Sequence, residues 1–164
     1  MQDLMFTSPS YGKLDLNGVI SVMRKFYDRN VGGNFSIVIG TDSQNFSDTK
    51  MVSVIAMCCE GHGGIYFNTI ERINRIQDVR QKLNYETQLS LQYADELLKV
   101  LMETDEELFD HITFSIHIDA GTNPKGKTKE LIPALVGWIK ACGYECHVKP
   151  ESFAASAIAN KISK

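Results

Sequence analysis

The sequence has one tryptophan, four prolines, four cysteines and no apolar run approaching the roughly 20 residues that cross a bilayer. A membrane-spanning helix is therefore not expected. No repeat, low-complexity tract or linker divides the chain, which excludes a solenoid or a tandem array, so its 164 residues read as one domain. There is little surplus charge of either sign. Seventeen bases against twenty acids give −3, which does not advertise a nucleic-acid binder by bulk charge. An enzyme that only visits nucleic acid needs no basic surplus, so this absence counts little against one. The cysteines, Cys58, Cys59, Cys142 and Cys146, show no C-x-x-C and no Cys/His ligand spacing, which excludes a zinc-binding pattern. Cys58 and Cys59 sit in an apolar run as small hydrophobes, and a reducing, cytoplasmic compartment is expected. The opening MQDLMFTSPSYGKLDLNG has neither a basic flank nor an apolar core, so no secretory signal is expected.

What is there is ordinary globular usage, 43 % apolar and 23 % charged, in a legible order. Residues 15–29 space Leu16, Val19, Ile20, Met23, Phe26 and Tyr27 as an amphipathic helix, ended by Asn30 and the Gly32-Gly33 pair. Residues 35–42 (FSIVIGTD) read as a buried strand ending on an acid. Residues 51–59 and 64–71 read as two more strands joined by Gly61-His62-Gly63-Gly64. From 73 to 102 the period turns helical, with a polar first half that could be a separate turn. Thr104 followed by Glu107 looks like a capping box for one short extra turn. Residues 112–119 alternate strictly and end on Asp119. A helix over 129–142 carries Pro133 near its first turn, then come a short strand over 144–149 and an alanine-rich helix over 151–162. The expected fold is α/β: a mixed five-stranded sheet in the order β-β-β-α-β-α-β-α, with helices on both faces. Residues 1–33 are expected to form an N-terminal helical extension and 34–164 the core.

Two of the expected strands end on aspartate, Asp42 and Asp119. Sites in open α/β sheets lie beyond the carboxyl ends of strands, so neighbouring strands would bring these two carboxylates together. Glu86, just ahead of the long helix's apolar stripe and so within about its first turn, is the best-placed third acid. Clustered carboxylates repel unless a cation neutralises them, and hard oxygen ligands suit Mg²⁺ or Mn²⁺. Two such ions can activate a water and stabilise the leaving oxygen of a phosphodiester. Taken singly, each acid also reads as an ordinary turn, cap or surface residue.

These elements and motifs resemble the ribonuclease H-like superfamily from residue 35 onward. GTDSQ (40–44) is similar to its first-strand aspartate motif, NYETQLSLQYADELL (84–98) to its first helix with an early glutamate, and IHID (116–119) to its fourth-strand aspartate. More narrowly, GTDSQ, HIDAG with its lysine-rich continuation, and KPESFAASAIANK resemble a small bacterial family described only as ribonuclease H-like, a predicted nuclease without an assigned substrate. The resemblance implies a metal-dependent nuclease acting on RNA, DNA or a hybrid, with Asp42, Glu86 and Asp119 holding the ions. The superfamily's fourth acid, near the start of the last helix, falls here at Ser156. Glu151 is the candidate stand-in, favoured at a helix N-terminus, and equally reads as a plain first-turn acid.

Two basic groups flank the acids. Lys125, Lys127 and Lys129 follow Asp119, and Arg72, Arg75, Arg80 and Lys82 precede Glu86; with Lys149 and His147 they could grip a nucleic-acid backbone, or simply be solvated. Trp138 reads as a core or interface residue, and Glu103, Asp105, Glu106, Glu107 and Asp110 as a solubilising turn. Two rival functions remain. Without its fourth acid the chain could be a nucleic-acid-binding module lacking catalysis. Alternatively GTNPKGKT (121–128) satisfies G-x-x-x-x-G-K-[ST], with Lys127 and Thr128 in the phosphate-binding roles. Against that, only one further strand is expected after the loop, and no aspartate follows to serve Mg²⁺.

Overall fold

The runs 35–40 and 51–59 are largely apolar on both faces of the pleat, and they form the middle of two adjacent inner strands of the sheet. A computed structural model describes residues 4–119 and 127–148, residues 127–129 by their backbone alone. Its elements are β1 (Met5–Ser8), β2 (Gly12–Asp15), α1 (Leu16–Arg29), β3 (Phe35–Asn45), β4 (Thr49–Cys59), β5 (Gly64–Ile73), α2 (Val79–Thr104), α3 (Glu106–Asp110), β6 (Ile112–Ile118), α4 (Lys127–Ala141) and β7 (Glu145–Val148). The strands make one sheet in the order β2-β1-β5-β4-β3-β6-β7. As expected, β3, β4 and β5 form an antiparallel meander, and β6 and β7 add in parallel beside β3.

The sheet has seven strands, not five. The N-terminal extension, expected to be helical only, opens with the β1–β2 hairpin, which docks on β5 through the Thr7–Asn68 pair. Four-residue strands are too short to show a period of two. A three-residue loop joins them, closed by Gly12 at φ +73°, a left-handed conformation that glycine adopts without a Cβ penalty. Phe6 fixes the hairpin: it is 1 % exposed and packs edge-on against Tyr93 of α2, ring centroids 5.7 Å apart.

Among the described residues the helices form one layer, with α2 in the middle touching α1, α3 and α4 and lying on β3. The expected helix over 151–162 lies outside the described residues. On the face of the sheet away from α2, Val52, Val54 and Ala56 of β4 form a separate buried cluster.

Several local details differ from expectation. Helix α2 begins at Val79, where the Asp78 carboxylate accepts from the Arg80 N–H, so residues 74–78 are the turn. Asp105, not Thr104, caps α3, accepting from the Leu108 N–H at 3.2 Å, while the Thr104 hydroxyl donates back to the Val100 carbonyl. Because α4 starts at Lys127, Pro133 stands in its second turn rather than its first. Trp138 is 39 % exposed and is not a core residue. The acidic turn is structural: Arg24 of α1 bridges Asp105 at 3.0 Å and Glu107 at 2.7 Å, tying α1 to α3. All four cysteines are free thiols.

Candidate active site

Strands β3 and β6 run side by side in parallel, with Phe35 opposite Ile112 and Gly40 opposite His117. Two residues beyond that last pair stand Asp42 and Asp119. Strand β3 continues past Asp42, still paired with β4, whereas β6 stops at Ile118. A crevice therefore opens between the two strands at the level of the two acids, where sites form in open α/β sheets.

Strand alternation divides the neighbouring residues between the two faces. Thr41 and Ser43 face α2, while Asp42 points with Gly40 and its β4 partner Val52 to the opposite face. Glu86 comes down from α2. It sits two turns into the helix, deeper than a first-turn position, because α2 starts seven residues before it, and it is only 8 % exposed. The Ser43 hydroxyl donates to Glu86 Oε2, and the Ser43 N–H donates to Asp42 Oδ1 at 2.9 Å. One serine thus holds two of the three acids. Burial pushes the Glu86 carboxyl up to about 8; the Ser43 hydroxyl pulls it down, Asp42 and Asp119 push it further up, and Lys82 opposes them. Glu86 therefore senses the charge of both aspartates.

Beneath the acids lies a buried hydroxyl network that sequence reading missed. Thr41 Oγ1 is 2.8 Å from both Ser53 Oγ and Ser90 Oγ, joining β3, β4 and α2. Ser90 follows Glu86 by four residues and so shares its helix face, and that spacing was the available signal. Thr41, Glu86, Thr87, Ser90, Ile116, His117, Ile118 and Asp119 line a narrow recess. On the β6–β7 side, His117 meets the edge of His147, its cross-strand partner, with ring centroids 5.2 Å apart.

Among the described residues, no three His, Cys, Asp or Glu side chains are already gathered as metal ligands. The donor chemistry nevertheless fits a hard cation. Asp42, Glu86 and Asp119 offer only oxygens, and they carry a mutual repulsion that a divalent ion would relieve. Glu151 and Ser156 lie outside the described residues, as do Lys125 and Lys149. Lys127 and Lys129 fall in the first turn of α4. Of the loop 121–128, only Lys127 and Thr128 are described, as the start of α4, and among the described residues a single strand, β7, follows. Arg75 donates a hydrogen bond to the Phe46 carbonyl, and Arg80 makes an exposed 3.7 Å ion pair with Glu130.

The family described as Ribonuclease H-like matches residues 18–164. The chain belongs to that family. It is also 29 % identical to the uncharacterized protein YkuK of Bacillus subtilis (strain 168), over 98 % of this chain and 97 % of that one. The family match begins inside α1, so it leaves out the β1–β2 hairpin, whereas the similarity to YkuK extends over nearly the whole length.

Proposed function

We propose that the protein is a divalent-metal-dependent nuclease that hydrolyses phosphodiester bonds in RNA, DNA or a hybrid. The supporting observation is that Asp42 and Asp119 stand level, each two residues beyond the last pair of adjacent parallel strands, with both raising the carboxyl of buried Glu86. Asp42, Glu86 and Asp119 would hold Mg²⁺ or Mn²⁺, with Glu151 as a fourth ligand. A divalent cation there supplies an activated water and charge stabilisation for the leaving oxygen of the phosphodiester. Ser43 ties Glu86 of α2 to β3 through its hydroxyl and holds Asp42 Oδ1 through its N–H, and the Thr41–Ser53–Ser90 hydroxyls fix β3 against α2 beneath them. Lys82, already felt at Glu86, together with Arg80 and the lysines at the start of α4, would draw a polyanion toward the acids.

The test is incubation of wild type and Asp42→Asn with labelled RNA, single- and double-stranded DNA and a hybrid, in Mg²⁺ or Mn²⁺. Cleavage by wild type alone is expected, because the variant keeps side-chain volume and loses a ligand charge. Metal-independent binding without turnover would instead identify a binding module, and equal cleavage by both proteins would refute the carboxylate site.

A further inference from the structure

On the face of the sheet that carries Asp42, the next row toward the strand ends is Gln44, Lys50 and Arg72, cross-strand partners on β3, β4 and β5. Past Gln44, in the β3–β4 turn, stands Phe46. It is 42 % exposed, and the Arg72 guanidinium lies 5.7 Å from its ring centroid. Four residues of strand separate Phe46 from Asp42, roughly 13 Å. An exposed aromatic is costly in water, and the turn that carries this one is held by hydrogen bonds on both sides. The Phe46 N–H donates to the Asp48 carbonyl at 2.7 Å, and Arg72 bridges Asp48 at 2.9 Å. The turn is also tied to the segment before α2. Asn45 donates to the Ile76 carbonyl at 2.9 Å, and fully buried Thr49 accepts from the Ile76 N–H at 2.8 Å.

Two cations and a preorganised aromatic at the margin of a carboxylate site have a specific chemical complement. Phosphates pair with Lys50 and Arg72, and a base needs a flat apolar surface such as the Phe46 ring. Only an unpaired base can reach that ring, because in a duplex both faces of each base are already stacked. We infer that Phe46, with Lys50 and Arg72, is a strand-guiding platform that takes unpaired nucleic acid leaving the carboxylate site, stacking one base on Phe46 while the cations hold its backbone. The inference deepens the nuclease reading and rests on it for the nature of the polymer. It selects single-stranded segments over continuous duplex.

Binding is measured in EDTA, so that it is read without cleavage, using labelled single strands of RNA and DNA and the same sequences as duplexes. Phe46→Ala is expected to weaken single-strand binding about tenfold and to leave duplex binding unchanged, since base–aromatic stacking contributes on that scale. Phe46→Tyr keeps the ring and should bind as wild type. Phe46→Leu keeps apolar bulk without the ring and should behave as Phe46→Ala, which guards against a folding effect in the smaller variant. Lys50→Gln should lower the slope of log affinity against log salt by about 0.7, one phosphate contact on a single strand. Wild-type affinity in Phe46→Ala, or an equal loss on duplex, would overturn the platform while leaving the cleavage reading intact. Failure of wild type to bind any single strand would overturn the platform, whereas the cleavage reading falls only if the metal-loaded protein cleaves none of the substrates.

Discussion

Asp42 and Asp119 stand at the same level on neighbouring parallel strands, each two residues beyond the Gly40–His117 pair that ends the shared register. Neither acid needs a loop to reach the other, because the strands themselves deliver them. If this pair is the heart of the site, Asp42→Asn and Asp119→Asn should each lower metal-dependent cleavage more than about a hundredfold, beyond the loss typical of residues that only support a ligand. Circular dichroism and melting temperature should be unchanged or slightly raised, since each change removes a repelling charge.

Glu86 makes metal-free stability depend on pH. Its folded carboxyl titrates near 8 against an ordinary value of 4.5, so the folded state holds a proton that the unfolded chain has already released. Stability is therefore greatest below the unfolded value, falls as pH rises from about 4.5 to 8, and levels off above that. Urea denaturation in EDTA should show this decline in wild type and its absence in Glu86→Gln. A flat wild-type profile would mean that Glu86 is ionised and compensated by other means.

Ser43 favours the charged form of Glu86, because its hydroxyl donates to that carboxylate. In Ser43→Ala the Glu86 carboxyl should titrate higher still, and the acid limb of the cleavage pH profile should move to higher pH. A fall in rate at all pH values alike, with no shift of the limb, would place Ser43 in a role unrelated to the Glu86 proton.

Thr41 is the shared member of the buried hydroxyl network, bonded to both Ser53 and Ser90. Thr41→Val strands two buried hydroxyls and should cost about 2–3 kcal/mol, more than Ser53→Ala, which leaves Thr41 bonded to Ser90. Chemical denaturation of the two variants distinguishes them, and equal costs would argue against a shared network.

The β1–β2 hairpin is an integral part of the sheet. Phe6→Ala empties a side chain that is 1 % exposed and should cost about 3–5 kcal/mol. A loss below about 1 kcal/mol would make the hairpin a dispensable ornament.

What could be read in advance followed the strength of each local pattern. The meander and the parallel neighbours of β3 were legible because 35–42, 51–59 and 112–119 are long and apolar on at least one face, and glycines mark two of their ends. The β1–β2 hairpin was not, since four residues per strand carry no readable period and its partner, β5, lies some sixty residues away. The three acids were visible as candidates because two end strands and one precedes an apolar helical stripe. The burial of Glu86 was hidden. Its depth depends on α2 starting at Val79 under the Asp78 cap, in a stretch too polar to show helical period. The hydroxyl network and Phe46 were hidden for a different reason: each acquires meaning only from partners on other strands.

Manganese uptake most directly tests whether the carboxylates form a cation site. Titrating Mn²⁺ into wild type and the Asp42→Asn/Asp119→Asn double variant, and following free ion by electron paramagnetic resonance, reads occupancy independently of any substrate. Wild type should take up the ion and release a proton from Glu86 below about pH 8, and the double variant should take up none at the same concentrations. Equal uptake by the two proteins, or none by wild type at millimolar Mn²⁺ with nucleic acid present, would contradict the account.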